Sequence, residues 1–242
     1  MKNKKIFLIG GIALVVIAIA SVLFINVTKD DKKDNSSALE FKKEYEALNG
    51  KMARYNKPHR TLNIDEDNPY VKITPAEVIK KLENKEKFYL YVGDPLCPWC
   101  RSVIEQSIKS AKENAIDTIY YIDFWDDENN EILRDVYELK DGEIVKTHEE
   151  TKEYKKMLEL CPDKIGLRNY TVEDEDGNEV EVNSKRFFGP TFLYAENGKF
   201  KKYTDARSEL QKSPLEDLTD EIKADQAEKF DELFLEICDD GC

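Results

Sequence analysis

The chain has 242 residues, 40% hydrophobic and 36% charged, enough for one sizeable domain with attachments or two small ones. Its formal net charge of −13 argues against nucleic-acid binding, which needs a basic surface, and reads as a solvated acidic exterior.

Lys2, Lys4 and Lys5 precede an uncharged run over Ile6–Asn26 that is rich in Ile, Leu, Val and Ala. A helix that crosses a bilayer core needs about 20 apolar residues. Residues 6–26 are therefore expected to form an uncleaved transmembrane anchor behind a short cytoplasmic tail, residues 1–5. Cleavage as a signal peptide near Ala18-Ile19-Ala20-Ser21, giving a secreted product, is the alternative, but the apolar run continues past that point. Lys29, Lys32 and Lys33 follow the span, so charge counting does not fix sidedness. The short tail favours an N-inside signal-anchor with the rest of the chain extracytoplasmic. Residues 27–44 are polar and charged and read as a flexible linker, leaving 45–242 as the globular part.

Thr74-Pro75-Ala76-Glu77 predicts a helix start, with Thr74 as cap and Glu77 closing a capping box. Phe88–Val92 is a short apolar and aromatic run before Gly93 and predicts a buried strand. Cys97-Pro98-Trp99-Cys100 follows and opens a helix to about Glu113, with Val103, Ile104, Ile108 and Ala111 on its buried stripe. Thr118–Phe124 predicts a second strand, and strand–helix–strand implies a parallel pair. Asp141-Gly142 and Asp176-Gly177 each predict a hairpin turn, and helical spacing runs between them over 149–161. Gly189–Tyr194 predicts a strand that Asn197-Gly198 turns into Phe200–Tyr203. A last helix is expected over Thr219–Ile237.

The strongest chemical signal is the cysteine pair where a strand hands over to a helix. Cys97 falls at the helix N-terminus, where unpaired N–H groups and the helix dipole stabilise a thiolate, the reactive form. Cys100 falls one turn later, within bonding reach. Pro98 suits the first turn, where its missing N–H costs nothing. Trp99 offers a flat face beside the sulfurs, either for a partner or for packing. Such a pair exchanges disulfides: Cys97 attacks, and Cys100 resolves. No added cofactor is called for beyond the Cys97–Cys100 disulfide itself, and no metal, because one pair supplies two ligands where a structural zinc needs four.

Strand–CPWC–helix–strand, then Gly189-Pro190-Thr191 opening a strand, a hairpin and a terminal helix, resembles the thioredoxin superfamily over residues 70–240. The resemblance implies an α/β thioredoxin-like fold, a central mixed sheet flanked by helices, with an inserted α+β segment at about 126–188. It also implies a cis Pro190 lying against the cysteines, and backbone hydrogen bonds from Gly189 to an extended substrate. The segment from Asn68-Pro69-Tyr70 to Ile104 looks like membrane-anchored thioredoxin-like proteins of low-GC Gram-positive bacteria. Expected partners are exported or envelope proteins with thiols or disulfides, a membrane redox partner that recycles the site, and lipid around residues 6–26. A thioredoxin-fold accessory that binds without turnover is the alternative.

The chain departs from thioredoxin at Tyr91, where that protein carries a buried Asp. Asp94 and Glu105 are the nearer acids and read as surface charges, with a proton relay for Cys100 as the alternative, and His59 and His148 read as ordinary polar residues. Cys161, Cys238 and Cys242 are open to several pairings or to none, and the spacing of Cys238 and Cys242 admits a second redox pair.

Overall fold

The computed structural model describes residues 35–53, 56–125, 130–161 and 165–235. The expected tail, anchor, start of the linker, Cys238 and Cys242 lie outside them. Among the described residues, no helix is long and apolar enough to cross a membrane.

Five strands form a mixed sheet in the order β1-β3-β2-β8-β9. β1 (Tyr70–Lys72), β3 (Ile119–Asp123) and β2 (Phe88–Gly93) run parallel, while β8 (Thr191–Glu196) and β9 (Lys199–Thr204) add an antiparallel hairpin beside β2. The central strand β2 is buried almost throughout, as its unbroken apolar composition requires of a strand covered on both faces. Asn197 and Gly198 both take positive φ in the β8–β9 turn, the backbone a tight hairpin demands.

Helices cover both faces. α2 (Pro75–Glu83) begins with the expected capping box. α3 (Pro98–Glu113) and α5 (Asp220–Phe234) pack together over one face, with Phe230 and Leu233 meeting Val103, Ile104 and Phe192 in one core. A second core on the other face joins α2 to α4 (Lys152–Glu159) through Val78, Leu82, Tyr154 and Met157.

α1 (Ser36–Glu46) corrects the linker expectation. Its Ala38, Phe41 and Tyr45 are buried, and Phe41 stacks on Tyr70 with ring centroids 3.9 Å apart. Those positions recur along one helix face, so this polar stretch is a structural helix of the domain. Among its described residues, the segment expected as an insertion holds two hairpins, β4–β5 (Val136–Lys140 and Glu143–His148) and β6–β7 (Arg168–Glu173 and Glu179–Arg186), with α4 between them.

Candidate active site

The parallel strands end on one side of the sheet, and the cysteine motif begins there. Cys97 is the N-cap of α3, with extended backbone (φ −72°, ψ 115°), and Pro98 occupies the first turn. The Cys97 sulfur accepts the Cys100 N–H at 3.4 Å, as an N-cap side chain does. Its thiol also reaches the Gly189 carbonyl at 3.5 Å.

Gly189–Pro190 is a cis peptide. A Cβ on Gly189 would lie 2.5 Å from the Cys100 sulfur and 3.2 Å from the Gly93 Cα. Glycine is therefore required here by close packing against the second cysteine. Pro190 is buried, while Gly189 and Trp99 are partly exposed. Cys97, Pro98, Trp99 and Gly189 thus line one cleft, with the Cys100 N–H on the Cys97 sulfur and Pro190 joined to Gly189 through the cis peptide. Gly189 uses its carbonyl on Cys97 itself in this state.

The two thiols are inequivalent. The Cys100 thiol, then the N–H groups of Cys100 and Trp99, hold Cys97 below its ordinary value against burial and the Asp94 charge. Cys100 is fully buried, and burial, then Cys97 and Asp94, push it far up, with the Tyr91 hydroxyl pulling the other way. A partly exposed thiol of lowered proton affinity thus stands over a buried thiol of raised proton affinity. All three described cysteines carry free thiols, and burial takes Cys161 up to about 12.

Several residues around the pair differ from the sequence expectation. Asp94 is buried at 8% exposure rather than on the surface, and its carboxylate accepts the Cys97 N–H at 2.8 Å. An Asp three residues before a backbone N–H that needs a partner is a recurring local pattern, so the spacing to Cys97 held that signal. Glu105 is exposed, as expected, and accepts the Asn63 N–H. His148 is exposed, but His59 is buried, with Nδ1 unpartnered, and burial and then Arg101 lower its proton affinity.

Arg101, next to Cys100, is 1% exposed. Its guanidinium donates to the carbonyls of Tyr45 at 2.7 Å and Arg60 at 2.6 Å and to Asn49 Oδ1 at 2.8 Å. It fastens α1 and the following loop to the start of α3. Tyr91 lies in the core below the pair, stacked between Tyr121 and Phe192. Its hydroxyl packs against Gly93, where a Cβ would come within 2.3 Å of it.

A cleft of ≈ 330 Å³ opens beside the sulfur. Cys97, Trp99 and Gly189 line it together with Trp125, Arg134, Tyr170, Arg186 and Phe188. The segment expected as an insertion thus supplies much of the lining. Arg134 pairs with Glu131 and sits over the Phe124 ring, while Arg186 sits 3.4 Å over the Tyr170 ring. On the far side of β3, Asp123 lines a separate hollow, and burial raises its carboxyl to about 7.

Among the described residues, no three His, Cys, Asp or Glu side chains converge as a metal site. No protein-family model matches the chain, and no curated protein matches it.

Proposed function

We propose that this chain is a membrane-anchored, extracytoplasmic thiol–disulfide oxidoreductase of thioredoxin-like fold. The carrying observation is the Cys97 sulfur, capping α3 while facing the Gly189 carbonyl of a cis Gly189–Pro190 peptide. The mixed sheet flanked by helices is compatible with that fold. The anchor rests on the 6–26 run alone.

The chemistry balances with the two sulfurs. In the reducing direction the Cys97 thiolate attacks a partner disulfide. A Cys97–partner S–S bond forms, the partner's own S–S bond breaks, and the departing thiolate takes a proton from water. Cys100 then gives its proton to water and attacks the Cys97 sulfur. The Cys97–Cys100 bond forms and the second partner thiolate leaves. Two electrons pass to the partner, and the protein ends as the disulfide. Run backwards, the same steps oxidise a partner dithiol.

The asymmetry of the thiols serves this order. A lowered Cys97 ionises more readily than an ordinary thiol and attacks first. A raised Cys100 stays protonated and does not compete for the partner, becoming a nucleophile only beside a mixed disulfide.

The test is equilibration of the full chain in graded glutathione buffers, reading the Cys97–Cys100 state by alkylation and mass. A single reversible two-electron transition is expected, confined to this pair. Two thiols that titrate independently, with no 97–100 disulfide at any ratio, would remove the proposal.

A further inference from the structure

Arginine is scarce in this chain, and several of the described arginines stand near the cysteine motif. The sequence holds 30 Lys and seven Arg. Arg101 lies beside Cys100, and Arg134 and Arg186 line the cleft that Cys97 opens into. Two more flank the sulfur on stacked rings. The Arg207 guanidinium stands 5.2 Å from the Trp99 ring centre, and that of Arg168 stands 5.0 Å from the Phe188 ring centre. Trp99 belongs to the cysteine motif and Phe188 precedes Gly189. Planar guanidinium suits this use, since it stacks on aromatic faces and still presents a fork of donors to a carboxylate.

Among the described residues, these charges do not all form ion pairs. Glu131 takes Arg134, and Asp205 takes Arg207 at 2.8 Å. Among the described residues, the Arg168 guanidinium makes no hydrogen bond or ion pair. Its charged neighbours include Arg207, Asp205 and the Cys97 sulfur, and Arg186 stands 5.2 Å from the centre of the same Phe188 ring. Among the described residues, Asp205 thus pairs with Arg207 and leaves the Arg168 guanidinium without a paired carboxylate, which a second carboxylate would supply. Arg168 is not the main counter-ion of Cys97, whose affinity for its proton is set by Cys100, burial, Asp94 and backbone N–H groups. Tyr203, 52% exposed, stands in the same cluster and offers an open aromatic ring to a bound chain.

We infer that Arg168, backed by Arg207, receives an Asp or Glu carboxylate of the protein segment whose cysteine exchanges at Cys97. The partner is then an extended acidic segment, with its sulfur at Cys97 and its acidic side chain over Phe188. The hairpin β6–β7 supplies this recognition through Arg168, which gives the insertion a role in partner choice. The inference rests on the exchange reading of the cysteine pair.

The test uses the reduced full chain and three disulfide-linked peptides, identical except for Glu, Gln or Lys within three residues of the cysteine. Exchange rates are compared as ratios within each protein variant, so changes in Cys97 reactivity or in the folded fraction cancel. The native chain is expected to favour Glu over Gln by about tenfold and to disfavour Lys. Raising salt from about 0.05 to about 0.5 M shrinks the preference. In Arg168→Gln the ratio falls to about one, and Arg168→Lys restores only part of it. Bis(2-hydroxyethyl) disulfide, which carries no charge, separates the two claims. If it exchanges while the native Glu/Gln ratio is near one, the acidic preference is overturned and the exchange reading stands. If no disulfide exchanges, both fall. A ratio that survives Arg168→Gln, or that salt leaves unchanged, overturns the assignment to Arg168.

Discussion

The hydroxyls of Tyr45 and Tyr91 meet at 2.8 Å in the core beneath the cysteine pair. One comes from α1 and the other from the central strand, and both are fully buried. Burial, then the neighbouring Cys100, raises each phenol well above its ordinary value. A carboxylate at Tyr91 would take up the Cys100 proton by titrating. A phenol held protonated can instead donate to the sulfur and favour its thiolate.

Tyr91→Phe removes that donor and leaves the Tyr45 hydroxyl buried without its partner. The loss of stability is expected to be about 1–3 kcal/mol, measured by urea unfolding. The mixed disulfide at Cys97 is resolved more slowly, and the pH midpoint of that step moves up. Unchanged resolution kinetics would reduce Tyr91 to a packing role.

Gly189→Ala tests the close approach at Cys100. The added methyl meets the Cys100 sulfur and the Gly93 backbone together, so both must shift. Overpacking of this kind costs about 1–3 kcal/mol. Closure of the 97–100 disulfide slows as well, visible in rapid-quench alkylation. A variant of native stability and closure rate would contradict the packing described.

Asp94→Asn separates charge from hydrogen bonding. The amide oxygen still accepts the Cys97 N–H, but the negative charge that opposes the thiolate is gone. The Cys97 titration, followed by thiolate absorbance, is expected to move to lower pH. A rise would show that the carboxylate supports the thiolate.

Asp123 supplies a pH dependence with a definite sign. Burial raises its carboxyl from the ordinary 3.8 to about 7. The native chain then holds a proton that the unfolded chain has lost, so this contribution to stability is complete below about pH 4 and is lost as pH rises through about 7. Asp123→Asn is expected to flatten the stability profile over that window and to raise stability above it, measured by urea unfolding at each pH. An identical slope in the variant would assign the dependence elsewhere.

Much of the frame was legible because local chemistry and tertiary structure agree. Asp141-Gly142 and Asn197-Gly198 turn hairpins, Thr74 and Glu77 form their capping box, and the run at Phe88 is a covered strand. α1 was hidden because Phe41 and Tyr45 stand among Glu and Lys, and a composition reading averages over a face that only a packed helix separates. β1 spans three residues, too few for a period of two to register. Asp94, Arg101 and His59 were hidden for a different reason. Charged and polar types read as surface, and their burial depends on partners supplied from elsewhere in the chain, such as the carbonyls of Tyr45 and Arg60 for Arg101. The cysteine motif carried its own signal, but the wall that faces it comes from the insertion, whose alternating strands say nothing about what they cover.

The most direct test is trapping on the full chain carrying Cys100→Ser. With the resolving sulfur gone, exchange must stop at the first step. The account predicts a stable mixed disulfide on Cys97 alone, formed with a peptide disulfide and located by mass spectrometry, at a pH below that at which an ordinary thiol reacts. A chain that forms no adduct, or forms it at Cys161 while Cys97 stays free, would contradict it.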